Sequence, residues 1–409
     1  GEEFMKDQHI FDNLKIRAGW GRVGNQSIDD SAYASTVGTT DYVFGQEGNR
    51  EIGTSVTAIG NTKVQWETVE DFGIGVDMGF LNKRLTVTAD WFQKKSHDML
   101  MKRDNLLILG YPMWNGQMWE NIGSMKATGW ELSIGWEDRQ GDFTYGVGLN
   151  LSSVKNKAEK LMGPPLYTGG FNGDYIIRNE EGGEISRFYG YVVDGIFQNQ
   201  TEVNAHTDEH GKIIQPNAVP GDFRFRDLNH DGELDDKDKT YIGSAFPDLM
   251  VGLNAHLSYK NIDFLANFYG TFGNDVFNTT LGRYSGAGGE NVYAGTYNKV
   301  WHGEGTSNFL PRLSVNDSNM NYKRPSSFFV EDGSYKLLQI GYTLPKNWTK
   351  GFSLRLSFSA QNPFTITKYS GMDPETASLG TKGNVTESGI DWAGYPNPRT
   401  YLFGLNLNF

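Results

Sequence analysis

The nine residues YLFGLNLNF, 401 to 409, decide the fold. Tyr401, Phe403, Leu405, Leu407 and Phe409 are large and apolar, and Leu402, Gly404, Asn406 and Asn408 stand between them. Successive side chains leave a strand on opposite faces, so one face is greasy and the other small or polar. A strand of a soluble sandwich reads the same way. The sequence stops on an aromatic, however, and a transmembrane barrel carries an aromatic girdle where its apolar outer band meets water.

The same alternation recurs in nine earlier segments: 14–20, 72–80, 85–91, 130–136, 143–152, 249–259, 262–272, 338–344 and 352–361. In the first, Leu14, Ile16, Ala18 and Trp20 share one face, and Lys15, Arg17 and Gly19 the other. The pattern predicts that Phe143, Val147, Leu149, Leu253, Leu257, Leu354, Leu356 and Phe403 face lipid, while Asn150, Asn254, Ser357 and Asn406 face a lumen. The connections alternate long and short along the chain. If neighbouring strands are antiparallel, every short turn lies at one rim and every long loop at the other, as in outer-membrane barrels with short periplasmic turns. Lipid demands a closed sheet, because an open edge leaves backbone groups unpaired.

Composition is compatible with this. Hydrophobic residues make up 38% of the 409, and no run reaches the length of a spanning helix, but a barrel strand needs apolar residues only at alternate positions. Aromatics reach 13% and glycines number 51, as a strand-rich wall with glycine-rich loops requires. The net charge of −12 argues against a nucleic-acid partner, and the lack of cysteine excludes disulfide and thiolate chemistry. Residues 1–10 contain no apolar core of a signal peptide.

One motif carries recognisable chemistry. Asp227, Asn229, Asp231, Glu233, Asp235 and Asp238 fall at positions one, three, five, seven, nine and twelve of an EF-hand-like loop, with Gly232 at six. Alternating oxygen ligands converge on a hard cation, and Glu233 would offer its backbone carbonyl. The expectation is a structural Ca²⁺ ion; a solvated acidic turn is the alternative. The carboxylate pairs Asp29–Asp30 and Glu180–Glu181 sit among polar residues and read as solvated loop. No nucleophile elbow or histidine pair with ligand spacing is present, so no enzyme is expected. Apolar residues crowd the stretch 99–119, where Trp114 and Trp119 are candidate partner contacts unless the stretch packs within the crown or prolongs the strands. Trp301, Trp392 and Tyr395 are candidate sugar-stacking residues, each equally readable as loop packing.

Several stretches resemble the SusC/RagA family of TonB-dependent outer-membrane transporters: LKIRAGWGRVGN (14–25), QWETVEDFGIGVDMG (65–79), NIGSMKATGWEL (121–132), FYGYVVDGIFQ (188–198) and PGDFRFRDLNHDGELDDKDKTYIGSAFPDLMVGLN (220–254). The resemblance implies an all-β transmembrane barrel of about 22 strands, with residues 1–409 as its C-terminal part and last ten strands. Residues 155–247 would form a long extracellular loop insertion holding the EF-hand-like motif, and the plug domain would lie outside this chain. It further implies import of oligosaccharides or peptides, a SusD-like surface lipoprotein, coupling to TonB, and an outer-membrane location. A non-transporting adhesin or extracellular calcium-binding module is the alternative.

Overall fold

The computed structural model describes residues 10–25, 32–44, 48–104, 117–161, 163–260, 262–285, 291–343, 353–375 and 387–408. Ten strands form one antiparallel sheet: β1 (Asn13–Asn25), β2 (Glu67–Phe80), β3 (Leu85–Asp104), β4 (Gln117–Gln140), β5 (Phe143–Leu161), β6 (Leu249–Tyr259), β7 (Ile262–Phe272), β8 (Tyr335–Thr343), β9 (Ser353–Thr367) and β10 (Thr400–Asn408). Each pairs with its neighbour in chain order, and β1 and β10 are the two edges. All ten expected strands are present. Three of their expected end residues, Leu344, Phe352 and Phe409, lie outside the described residues.

Register sorts the side chains as the alternation requires. Leu149 lies opposite Ile134 on one side and Leu253 on the other, and Leu253 faces Phe268 across β7. Asn150 belongs to the other face, where it opposes Ser133 and accepts its hydroxyl at 2.7 Å. Asn254 opposes Gly148 and Asn267, and Asn406 opposes Arg355. Phe72 and Trp91 meet edge-on at 6.2 Å, and Trp91 lies directly opposite Trp130. These rings end the apolar band on one side.

The rims differ as expected. β2 and β3 are joined by residues 81–84, of which Leu81, Asn82 and Lys83 have positive φ near 60°, and β4 and β5 by Gly141 and Asp142. Long connections cross the opposite rim. The strands run further towards that rim than the alternation suggested. β3 has 20 residues and β4 has 24, about 66 and 80 Å of strand at 3.3 Å each. Beyond the apolar band both faces carry polar side chains, so the period-two signal stops while backbone pairing continues, as at Gln93, Lys94 and Lys95. Met99, Leu100, Met118 and Trp119 belong to these prolonged strands. Trp114 and the rest of 105–116 lie outside the described residues.

Residues 155–247, expected as a long loop insertion, carry secondary structure of their own. β5 continues to Leu161, and a four-stranded sheet follows, ordered Lys239–Ser244, Arg187–Tyr191, Asp174–Asn179, Leu166–Phe171. Alternation breaks at its centre, where the neighbours Ile176 and Ile177 point to opposite faces and are both fully buried. Among the described residues no helix is long and apolar enough to cross a membrane.

Candidate functional site

The main buried core sits above the wall, where three long connections meet. Phe171, Ile176, Ile177, Phe188 and Ala245 come from the connection between β5 and β6. Phe277, Leu281 and Phe329 come from the one between β7 and β8, and Ile390 from the one between β9 and β10. Phe277 and Phe329 stack at 5.2 Å, and Phe171 packs edge-on against both, at 5.6 and 5.1 Å. A parallel pairing of Asp275–Asn278 with Ile390–Asp391 stitches the last two connections together. Together they form one folded crown over the rim.

Polar links lock the crown. Asp222 is fully buried; its Oδ1 accepts from Arg312 Nε at 2.7 Å and Asn321 Nδ2 at 3.0 Å, and its Oδ2 accepts the Val219 N–H at 3.0 Å. Gln215 donates to Asn319 at 2.8 Å and accepts the Phe225 N–H, while Asn321 accepts the Phe223 N–H at 2.8 Å. Tyr369 donates a short hydrogen bond to Asp391. Burial, reinforced by the Asp391 carboxylate, raises the Tyr369 phenol far above its ordinary pKa.

The expected cation loop lies in this crown. Asp227 accepts the N–H groups of His230 at 2.7 Å and Gly232 at 2.9 Å. Asn229 accepts from Asp231 N at 3.2 Å, and Asp231 accepts from Glu233 N at 3.0 Å. Gly232 turns the chain at φ 76°. The Lys237 ammonium stands 3.1 Å from Asp231 and 3.2 Å from Asp235, between carboxylates of the expected set. Asp238 is buried and accepts N–H groups from Leu228 and Asp235. The Glu233 side chain turns away to Lys212 at 2.8 Å. Among the described residues no three acidic or histidine side chains converge closely enough to hold a metal.

The three loop aromatics separate. Trp301 packs against the Tyr191–Ile196–Phe223–Phe225 cluster and donates Nε1 to Gln198 at 3.1 Å. Trp392 and Tyr395 are open, at 45% and 88% exposure. Trp119 is half-buried, and its carbonyl accepts from Asn61 at 2.8 Å.

The polar wall face carries a group that sequence reasoning missed. Arg17 on β1 grips Asp77 on β2 through Nε and Nη2, each at 2.9 Å, and reaches Asp90 on β3 at 3.0 Å. Thr88 donates to Asp77 at 3.2 Å. The clamp crosses Gly75, where an added Cβ would sit 2.9 Å from Arg17 Nη2 and clash with Asp90. Counting register outward from the connection at 81–84, with Phe80 opposite Leu85, brings Asp77 opposite Thr88 and would have found it.

Residues 8–362 match the model of the family described as "TonB dependent receptor-like, beta-barrel". "TonB-dependent receptor P3" of Formosa agariphila is 33% identical over 423 residues, and "TonB-dependent receptor SusC" of Bacteroides thetaiotaomicron is 30% identical over 426. The alignments take in 100% of this chain but only 40% and 39% of those two relatives. Among solved structures, that of the RagAB peptide transporter superposes with a TM-score of 0.76 at 21% identity, over 100% of this chain and 42% of that one.

Proposed function

We infer the function from one premise: the chain belongs to the TonB-dependent receptor-like β-barrel family and is SusC/RagA-like, part of an outer-membrane barrel. The family is one of receptors and transporters, so no catalytic chemistry is assigned to it. The whole protein is proposed to import oligosaccharides or peptides too large for diffusion pores. Coupling would run through TonB and the proton-motive force, with a SusD-like lipoprotein over the crown. The wall beyond β1 and β10 would be completed by further strands, since neither edge can be left open in lipid.

The observation that carries this reading is the asymmetry of the rims. One has tight turns; the other has a crown whose core is shared by three connections. Such a crown can seat a partner and gate a lumen. The open Trp392 and Tyr395 favour sugar rings, which stack on aromatic faces, and the likeness to a peptide transporter favours peptides. Uptake of labelled oligosaccharide and labelled peptide by cells with and without the gene tests both. Uptake that is lost with the gene and abolished by a protonophore is expected. Uptake insensitive to both would overturn the reading.

A structural Ca²⁺ ion is proposed at 227–238, supported by the EF-hand-like spacing and the Asx turns at Asp227, Asn229 and Asp231; binding would require the carboxylates to draw together and the Lys237 ammonium to leave Asp231 and Asp235. Its ligands would be Asp227, Asn229, Asp231, Asp235, Asp238 and the Glu233 carbonyl. Calcium should slow proteolysis of the crown in the native protein, and Asp227→Ala with Asp231→Ala should abolish that protection while the barrel stays folded. Equal cleavage with calcium and with chelator would refute it.

A further inference from the structure

Three lysines stand in one lateral row on the apolar-band side of the wall. Lys95 on β3 lies directly opposite Lys126 on β4, and Lys126 directly opposite Lys157 on β5. Directly opposed residues have Cβ atoms about 5 Å apart, and like charges there repel. The face is fixed by register: Trp91 opposes Trp130, and each of Lys95 and Lys126 is four residues from its tryptophan, hence on the same face. Four residues are about 13 Å of strand, which puts the row just beyond the aromatic belt, at headgroup level.

Neighbouring carboxylates do not cancel the row. Lys95 has Glu159 at 3.6 Å, and Lys155, one step nearer the belt, is paired with Asp248. Glu70, opposite Lys95 and Arg22, accepts from Trp20 at 2.7 Å and stands 3.5 Å from His97. Among the described residues no carboxylate pairs with Lys126 or Lys157, and Lys157 is exposed. Arg22, Lys95, Lys126, Lys155 and Lys157 thus exceed Glu70, Glu159 and Asp248 by two positive charges, on a chain whose net charge is −12. Beside the row lies a hollow of about 520 Å³ whose lining includes Arg22, His97 and Lys160 together with the acids Glu70 and Asp98, so that Lys160 and Asp98 offset each other and the excess stays at two.

We propose that this row is a docking surface for the phosphate of an anionic lipid headgroup in the leaflet on the crown side. The acyl chains of that lipid would lie along the band below Trp91 and Trp130. Ammonium groups on flexible stems reach out to headgroup phosphates while their methylenes cover apolar surface. The inference rests on the orientation of the wall and not on what the protein imports.

The test is native mass spectrometry of the complete barrel in detergent, titrated with phosphatidylglycerol and, separately, with phosphatidylcholine. Wild type should retain phosphatidylglycerol in preference. Lys126→Gln with Lys157→Gln should weaken that retention roughly thirty-fold, taking the usual contribution of each cation near an anionic surface. Lys126→Arg with Lys157→Arg should restore it, and Lys94→Gln on the lumen face should leave it unchanged. Inorganic phosphate should not displace the lipid; displacement would mean a free-anion site and overturn the proposal. Equal retention of both lipids, no effect of the double glutamine variant, or an effect confined to association with a second barrel or another protein would also overturn it. If the double variant fails to fold, Lys157→Gln alone carries the comparison.

Discussion

Asp222→Ala tests whether the crown is a cooperative unit held by a few buried polar links. The carboxylate is fully buried and accepts from Arg312, Asn321 and the Val219 backbone. Removing it leaves a guanidinium and two neutral donors without their acceptor. Breaking a buried ion pair by deleting one partner costs roughly 3–5 kcal/mol. The Arg312 side chain keeps 24% of its surface in water, so it recovers some hydration, which points to the lower end. About 3 kcal/mol corresponds to a roughly hundredfold larger opening constant. Hydrogen exchange on the purified barrel reads this directly. The amides of Phe197, which donates to the Asp222 carbonyl, and Arg312, which donates to the Gly221 carbonyl, should exchange roughly a hundredfold faster. Wall amides such as those of β6 and β7 should keep their protection, because their ladder does not pass through the crown. Asp222→Asn, which keeps an acceptor but not the charge, should fall between. Unchanged exchange at Phe197 and Arg312, or equal loosening of β6, would refute the reasoning.

Other expectations follow from the same geometry. Leu356→Arg charges the apolar face and should cost about 2–4 kcal/mol in the urea midpoint of heat-modifiable gel migration, whereas Ser357→Arg on the polar face should cost much less; equal costs would contradict the orientation. Gly75→Ala should break the Arg17 clamp by pushing Asp90 aside, lowering that midpoint by an amount equivalent to roughly 1–3 kcal/mol of stability, and a neutral result would show that the clamp adds little. Burial, with the nearby Asp332 and Asp248 charges, raises the Asp275 carboxyl above its ordinary value of 3.8. Its charged form is therefore disfavoured in the folded crown, so its contribution is full below 3.8 and is lost as pH rises through the raised value. Asp275→Asn should make the crown more resistant to protease at neutral pH and flatten this dependence; a steeper dependence would be wrong for a raised acid.

The wall was legible because lipid and lumen impose different chemistry on alternate residues. Leu149, Leu253 and Phe268 form one row and Ser133, Asn150 and Gly252 another, and period two records that division. Where the division ends, so does the signal. At Gln93, Lys94 and Lys95 polar side chains stand on both faces, and the strands continue with no alternation to mark them. The crown fails for the opposite reason. Ile176 and Ile177 are adjacent and both fully buried, so at this point of the strand the two faces are alike and period two is lost.

The candidate sites divide along the same physical line. A loop that binds through its own neighbours writes its spacing into the sequence, and the turns at Asp227, Asn229 and Asp231 are local enough to be read there. Asp222 with Arg312, Gln215 with Asn319 and Arg17 with Asp77 join residues 60 to 104 positions apart. For the wall, such pairs become readable once hairpin register is counted from a tight turn, because register fixes which polar residues share a rung. The lysine row at 95, 126 and 157 is of this kind: its members look like ordinary solvated charges singly, and only pairing makes them a line of like charge. The crown has no comparable ruler. Its polar links depend on how three connections fold over one another, and that is decided by burial of Phe171, Phe277 and Phe329 against partners remote in sequence.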